Sequence, residues 1–335
     1  MHSKILLSHG SGGKLMHSLI KDIFIKRFSN KILDELNDSA VLQIPPEKEI
    51  CFTTDSYVVD PLFFPGGDIG KLAICGTIND LAVVGSQPLY ISCGFIIEEG
   101  LEMETLEKIV DSMADVSKKA GVKIVTGDLK VVERGNVDKL FINTSGIGIR
   151  DKGIFLSKER IKPGDSVIIN GPIGEHGMAI LCERKNFEFE TGIISDCAPL
   201  SGLISMILDS SKKVKFMRDP TRGGLAATLN EIVSGMNYGI ILHEKDIPVS
   251  DEVQAFCEIL GFDPLYIANE GKVLIISEGD SGNLIKVMKN HPLGKKAKVI
   301  GEVVKEPKGK VIMATASGGH RIIEMPAGEQ LPRIC

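Results

Sequence analysis

The sequence has no tryptophan and only four tyrosines, and its formal net charge at pH 7 is −5. Surfaces that bind nucleic acids are usually basic, and those that bind single strands also carry aromatic side chains on which bases stack. The sequence therefore predicts no nucleic-acid partner. It also lacks an apolar run close to the ~20 residues that a membrane-spanning helix needs, and residues 1–9 lack the apolar stretch of a secretion signal. We expect no membrane association and a cytoplasmic location.

Paired cysteines are absent as well. The seven cysteines are scattered along the chain, and no two of them form the Cys-x-x-Cys motif of a metal or redox site. Scattered cysteines in a reducing compartment are usually small buried apolar side chains. We expect this of the first six, which are Cys51, Cys75, Cys93, Cys182, Cys197 and Cys257.

The residues that are present predict a two-domain α+β protein. A length of 335 residues is typical of about two domains, and 36 glycines indicate many tight turns. Helix-like and strand-like stretches alternate in both halves, with turn-forming residues near 150–164 between them. We predict one domain over residues 1–150, a second over residues 151–324, and a tail over residues 325–335.

The tail ends in Cys335, the last residue of the chain. Pro326, Gly328 and Pro332 interrupt any periodicity, so we expect the tail to be extended and mobile. At ~3.3 Å per residue, a stretched tail spans roughly 30 Å. A terminal cysteine can be accidental, but on such a tail its thiol could also visit a partner and return.

A glycine-rich loop, His9–Lys14, lies near the N-terminus. Gly12 and Gly13 would let backbone N–H groups turn toward a phosphate, and Lys14 would add positive charge. The spacing is not that of a Walker A loop. Taken alone, the motif is more typical of a plain mobile loop.

Five aspartates stand among small residues, where ligand loops often occur: Asp38, Asp55, Asp80, Asp128 and Asp219. Asp80 interrupts an otherwise apolar helix face, which is costly unless the carboxylate is paired or binds a cation. Mg²⁺ prefers carboxylates together with phosphate oxygens, so the set is compatible with Mg·ATP. The alternative is that some of them merely cap turns or helices.

Two further motifs carry charged side chains beside glycines. In Asp219–Gly224, directly before a predicted helix, Arg222 could bind a phosphate through two hydrogen bonds. In Ala268–Lys272, Glu270 lies between a strand-like stretch and a glycine, where a surface turn is the simpler interpretation.

Together these motifs resemble the HypE family of hydrogenase maturation proteins, nearly from end to end, and through it the PurM-like superfamily of aminoimidazole ribonucleotide synthetase. The Pro-Arg-Ile-Cys end is the most specific match. Leu129 departs from the family, which commonly has a small polar residue after Thr-Gly-Asp. The matching stretches are His9–Lys14, Asn37–Leu42, Thr53–Pro88, Gly121–Val132, Asp219–Leu225, Ala268–Lys272 and residues 332–335.

The resemblance implies a fold and a set of partners. The N-terminal α/β domain would join a second copy into a barrel across a homodimer, and the C-terminal domain would be α+β. ATP would lie between the domains and near the dimer interface. HypF would supply a carbamoyl group, and a HypC–HypD complex would accept the resulting cyanide.

The resemblance also implies an activity, the ATP-dependent dehydration of a thiocarboxamide on Cys335 to a thiocyanate, the source of the cyanide ligands of NiFe hydrogenase. Glu270 would be the base, and Lys130 would orient the carbamoyl group. The implied Mg²⁺ ligands are Asp38, Asp80 and Asp219. The implied nucleotide-binding residues are Gly12, Gly13, Lys14, Asp55, Asn79, Asp128 and Arg222.

Two alternatives remain at the level of sequence. A selenophosphate-synthetase-like phosphotransferase would use the same ATP scaffold, although no cysteine precedes Cys51 near the glycine-rich loop. A non-enzymatic carrier would only transport a group on Cys335. The set of aspartates favours an enzyme over a carrier.

Overall fold

The computed structural model describes residues 3–185, 192–328 and 331–335. The strands within them form one sheet of four strands, one of seven and a two-stranded hairpin. Helices pack on these sheets, which confirms the predicted α+β class. No helix in the described part of the chain is both long and apolar enough to cross a membrane. The cytoplasmic location stays a prediction.

The N-terminal half contains the four-stranded sheet, with the order β1-β6-β4-β5 and only β4 and β5 parallel. A short π-helix over Ile20–Ile25 joins the first two helices. The strands are β1 (Lys48–Tyr57), β2 (Phe63–Phe64), β3 (Gly67–Asp68), β4 (Gln87–Glu98), β5 (Lys123–Val132) and β6 (Leu140–Asp151). The helices are α1 (Lys14–Leu19), α2 (Lys26–Phe28), α3 (Ile69–Val83) and α4 (Met103–Ala120).

The C-terminal half contains the seven-stranded sheet, with the order β13-β12-β9-β11-β7-β10-β8. Its strands are β7 (Ser166–Ile169), β8 (Val214–Arg218), β9 (Gly239–His243), β10 (Leu274–Ser277), β11 (Lys298–Val304), β12 (Val311–Ala314) and β13 (His320–Ile323). Its helices are α5 (Glu175–Lys185), α6 (Ser201–Ser210), α7 (Gly224–Val233), α8 (Asp251–Leu260) and α9 (Gly282–Lys289).

Helix α4 forms because its apolar residues recur at helical spacing and cover one face. That face is buried, and the helix ends at Gly121, whose φ of +70° favours glycine. The buried apolar side chains are Met103, Leu106, Ile109, Val110, Met113 and Val116.

Helix α3 differs from α4 because it is buried on nearly every side. The Asp68 side chain caps its start by accepting hydrogen bonds from the backbone N–H groups of Gly70 and Lys71. The helix packs on strands β1 and β6 and on α4, and it also contacts α6 and β8 of the C-terminal half. Helix α3 therefore lies where the two halves meet.

The C-terminal residues 331–335 pack against the segment that follows β1. The backbone N–H of Val58 donates to the carbonyl of Cys335 over 3.1 Å, and the N–H of Asp60 donates to that of Arg333 over 3.3 Å. Ile334 is buried in the core of the N-terminal half. Residues 329–330 of the predicted tail lie outside the described residues. The structure thus gives the tail a docked position, and its mobility stays a prediction.

Five of the six cysteines expected in the core are buried. The exception is Cys51, which is half-buried because it lies on β1 at the edge of its sheet.

Candidate active site

Three of the predicted aspartates come together where the two halves meet. Asp55 is on β1, Asp80 is on α3, and Asp219 directly follows β8. Burial, together with the neighbouring Asp55, raises the pKa of Asp80 to about 6. Burial, with added repulsion from Asp80 and Asp55, raises the pKa of Asp219 to about 7. Carboxylates crowded in this way favour a cation that offsets their charge.

Two hydroxyl groups orient these carboxylates. The Thr53 hydroxyl donates to Asp80 Oδ2 over 2.7 Å, and the Tyr57 hydroxyl donates to Asp55 Oδ2 over 3.2 Å. Tyr57 is buried, and a Cβ atom at Gly76 of α3 would lie 2.2 Å from its hydroxyl oxygen. Sequence reasoning missed Tyr57. The period-two alternation of β1 could have found it, because residues 53, 55 and 57 share one face.

Glu270 is buried beside the three aspartates rather than on a surface turn. Burial raises the pKa of its carboxyl well above the usual range, and the nearby Cys197 and Asp219 raise it further. Both effects favour the protonated form of Glu270. Its backbone N–H donates to Asp196 Oδ1 over 3.1 Å.

Asn79 attaches this glutamate to helix α3. Its Nδ2 group donates to the carbonyls of Ala198 and Glu270 over 3.1 and 3.2 Å. Its Oδ1 accepts from the N–H of Leu200 over 2.7 Å. An acceptor atom of a nucleotide, as predicted from the sequence, could bind Nδ2 only by displacing one of its two bonds.

A buried ion-pair network supports the same turn, and sequence reasoning missed two of its members. Lys272 Nζ lies 2.9 Å from Asp196 Oδ2 and 3.1 Å from Glu175 Oε2. Burial alone would raise the pKa of Asp196, but the Lys272 ammonium and the hydrogen bond from the backbone N–H of Glu270 outweigh it and lower that pKa. Asp196 therefore stays ionised and holds the backbone N–H groups of Glu270 and Gly271.

Cys335 lies beside the end of β1. Its carbonyl accepts from Val58, the residue after Tyr57, and its side chain packs against the core of the N-terminal half. Tyr57 in turn binds Asp55 of the acid cluster. The docked tail thus brings the terminal cysteine to the strand end that carries part of the cluster.

Asp128 and Lys130 lie elsewhere, on the open face of the four-stranded sheet. Their side chains form an exposed ion pair of 2.8 Å, in which the hydrogen bond from Lys130 lowers the pKa of Asp128. Leu129 between them points into the core. Because side chains alternate along a strand, Asp128 and Lys130 face away from α3. Within one chain, the fold therefore does not bring Lys130 to Glu270.

The remaining predicted ligands are exposed. Lys14 begins α1 directly after Gly12 and Gly13, and Gly10 of the same loop packs on Val131 of β5. The loop thus lies close to the strand of Asp128.

Asp38 lies on the exposed segment before β1, whose neighbours Asn37 and Ser39 line an apolar cavity together with Asp128. Arg222 lines a separate groove with Pro326 and Ile334 of the C-terminal segment. Asp38 and Arg222 are both exposed, unlike the acids of the cluster.

Among the described residues, no three acid, histidine or cysteine side chains converge to hold a metal ion by themselves. The aspartate cluster fits a cation that takes its other ligands from phosphate oxygens and water, as Mg²⁺ usually does.

Comparison with family models matches both halves of the chain. Residues 36–150 match the N-terminal domain of AIR synthase related proteins, and residues 162–314 match their C-terminal domain. A thiamine-monophosphate kinase structure, 17% identical with a TM-score of 0.67, shares the fold.

Curated relatives are similar over the full length. The carbamoyl dehydratase HypE of Rhizobium leguminosarum is 50% identical over 100% of this chain and 96% of the relative. The Escherichia coli protein of the same name is 48% identical over 99% and 100%.

Solved structures give the same result. A hydrogenase maturation protein HypE in complex with ATP has a TM-score of 0.94 and 46% identity, covering 99% of this chain and 100% of that one. A HypE–HypF complex matches with a TM-score of 0.80 and 47% identity, over 92% and 100%.

Proposed function

Since the chain belongs to the HypE family of carbamoyl dehydratases, within the AIR synthase related proteins, we propose that it uses ATP to dehydrate a carbamoyl group carried on Cys335. The observation that carries the proposal is the docked tail, which brings the terminal cysteine to the end of β1 beside the acid cluster. The product is a thiocyanate on Cys335, which supplies cyanide for NiFe hydrogenase maturation.

The reaction removes the carbamoyl oxygen as phosphate. The oxygen of the thiocarboxamide attacks the γ-phosphorus of ATP, ADP leaves, and the nitrogen loses one proton. The carbon–oxygen bond then breaks, phosphate leaves, and loss of the second proton gives the carbon–nitrogen triple bond. Phosphorylation makes a poor leaving group a good one, and the protein contributes mainly positioning and charge stabilisation.

Asp55, Asp80 and Asp219 are the residues that fit a Mg²⁺ ion bound with the nucleotide. The ion would offset the charge of the phosphates. The raised pKa values of Asp80 and Asp219 support this assignment, because a cation would favour the ionised forms of these two carboxyls. Asp38 is exposed and would reach such a site only by movement of its segment.

Glu270 is proposed as the base that removes the nitrogen protons. It has to lose its own proton first, and a cation bound at the neighbouring aspartates would favour that loss electrostatically. The turn is rigid, because Asn79 and Asp196 hold its backbone. Binding of Mg·ATP would therefore prepare the base as well as the phosphoryl donor.

A homodimer would complete the site. The open sheet face exposes Ile50, Phe52 and Ile96, which are 61%, 67% and 43% exposed. A second copy packed face to face would bury them in a barrel and bring Asp128 and Lys130 into the interface.

Phosphate binding would then also involve the exposed residues Gly12, Gly13, Lys14 and Arg222. Lys130 would orient the carbamoyl group only after this closure.

The proposed partners follow from the chemistry of the tail. A HypF-type protein would place the carbamoyl group on Cys335, and a HypC–HypD-type complex would accept the cyanide. We propose a cytoplasmic location, because a reducing compartment would keep the Cys335 thiol reduced.

Mass spectrometry of the C-terminal peptide tests the proposal. Cleavage after Lys310 yields residues 311–335, in which Cys335 is the single cysteine. After loading by HypF, we expect this peptide to gain one carbamoyl group, and after addition of Mg·ATP to lose one water. Cys335→Ala should gain neither change. Loaded protein that keeps its mass with ATP would support the carrier alternative instead.

A further inference from the structure

Helix α5 binds the tail through two side chains that lie two turns apart. The Arg184 guanidinium donates to the carbonyl of Pro332 over 2.6 Å, and also to the carbonyls of Arg333 and Asp60. His176 Nε2 lies 2.8 Å from the carbonyl of Ile334. Three consecutive carbonyls of the tail are thus bound by one helix.

The tautomer of His176 follows from its partners. The ring is fully buried, and burial lowers its pKa, so it is neutral at neutral pH. A carbonyl can only accept, so Nε2 carries the proton toward Ile334. The other nitrogen, Nδ1, then accepts from the Ser195 hydroxyl over 2.8 Å. Ser195 Oγ accepts in turn from the N–H of Cys197 over 3.1 Å.

The segment that orients His176 also holds Glu270. Asp196, between Ser195 and Cys197, accepts hydrogen bonds from the backbone N–H groups of Glu270 and Gly271. The tail and the proposed base are therefore fixed to the same three residues, one through His176 and the other through Asp196.

The bonds to the tail are made to its backbone, so they fix how far the chain enters the site. Arg333 adopts a left-handed conformation with φ of +52°, which is unfavourable for a residue with a side chain unless its surroundings hold it. Arg184 binds its carbonyl, and the Arg333 guanidinium donates to the carbonyl of Val58 over 2.9 Å. These contacts direct Ile334 into the core and place Cys335 after it.

We propose that His176 and Arg184 are positioning residues that hold the backbone of the tail in register with Glu270 during dehydration. Neither residue reacts. Alignment of the tail with Glu270 matters only if the proposed function is correct, so the inference rests on that function. Docking of the tail can be measured without any reaction. Loading by a separate protein requires these bonds to open, because the residue before Cys335 is buried.

Alkylation of Cys335 by iodoacetamide measures docking without ATP or a carbamoyl donor. We expect Arg184→Ala and His176→Leu to accelerate alkylation in peptide 311–335 on the order of tenfold, since each removes hydrogen bonds that hold the tail. Arg321→Ala, which removes an exposed guanidinium paired with Asp263, is the matched control and should leave the rate unchanged. Unchanged rates in both folded tail variants would overturn the proposal.

Comparing the rate of carbamoyl loading with the rate of dehydration distinguishes a positioning role from a general structural role. Both variants should accept the carbamoyl group at least as fast as the wild type but dehydrate it on the order of tenfold more slowly or worse. His176→Gln retains a donor and an acceptor, so it should restore most of the dehydration rate that His176→Leu loses. Equal loss in the Gln and Leu variants would contradict the assigned hydrogen bonds. A wild-type protein that does not dehydrate at all would refute the proposed function, while the alkylation result would stand.

Discussion

At the scale of single residues, the candidate site is defined by three buried or half-buried acids that a cation would help to ionise. Glu270, Asp80 and Asp219 all have raised pKa values, because burial and mutual repulsion disfavour their charged forms. A divalent cation reverses both effects locally. We therefore expect a cation at the aspartates to favour the ionised form of Glu270, which would couple nucleotide binding to activation of the proposed base.

Replacement of Glu270 by glutamine tests this role. Glu270→Gln closely matches the neutral acid in shape, so it should fold normally, accept the carbamoyl group and bind ATP. Dehydration should slow by about 10²–10⁴-fold, the contribution of a well-placed base. Single-turnover mass spectrometry of the C-terminal peptide measures the rate. A rate within about threefold of the wild type would exclude Glu270 as the base, given that range.

Replacement of Asp80 by asparagine tests the cation site through pH. The folded pKa of about 6 for Asp80 lies above the unfolded value of ~3.9. The contribution of the neutral acid to stability is thus fully present below pH ~4 and is lost as pH rises through the folded pKa. Asp80→Asn should raise the apoprotein's free energy of unfolding at both pH values, and this gain should be about 1 kcal/mol larger at pH 8 than at pH 5. The same substitution should weaken Mg·ATP binding.

Urea unfolding at the two pH values and calorimetry with Mg·ATP provide the measurements. Asp209→Asn, an exposed aspartate of α6 outside the cluster, is the control and should change neither quantity. If Asp80→Asn behaves like this control, Asp80 does not belong to a cation site.

At the scale of elements, local patterns predicted some helices and missed others for physical reasons. Helix α4 shows a clear apolar stripe, and α3 has a cap at Asp68, so both could be predicted. Helix α5 was not predicted. Its functional side chain His176 contacts Ile334, 158 positions away in sequence, and no local pattern reports such a contact.

In the candidate site, too, local motifs predicted some features, whereas others depend on contacts between residues distant in sequence. The sequence identified Asp55, Asp80, Asp219 and Glu270, which stand in recognisable motifs, and the structure brings them together. It did not identify the partners of Asn79, because a buried amide can bind backbone or ligand equally well. The structure shows that its bonds go to backbone.

The open face of the four-stranded sheet predicts the dimer. Phe52→Glu would place a charge in the middle of the proposed barrel, where burial is costly, and should weaken dimerisation on the order of 100-fold. Ile259→Glu, at a 73% exposed position on α8, is a matched control that should leave the dimer intact. Sedimentation analysis across protein concentrations decides the question. A dimer unaffected by Phe52→Glu would place the interface elsewhere.

At the scale of the whole molecule, the site exists only where three parts of the chain meet. The N-terminal half supplies Asp55 and Asp80, the C-terminal half supplies Asp219 and Glu270, and the tail brings Cys335. The substrate is thus covalently part of the enzyme when it reacts. In the proposed reaction, turnover would require two positions of the tail, docked for dehydration and released for exchange with partners.

The fate of the carbamoyl oxygen shows whether ATP drives the dehydration. The protein is loaded with a carbamoyl group that carries a heavy-oxygen label, freed of donor, and given Mg·ATP for a single turnover. Because ATP would phosphorylate that oxygen before it leaves, we expect labelled inorganic phosphate together with a C-terminal peptide that has lost one water. Unlabelled phosphate with the label in water, or a peptide that keeps its carbamoyl mass, would contradict this mechanism.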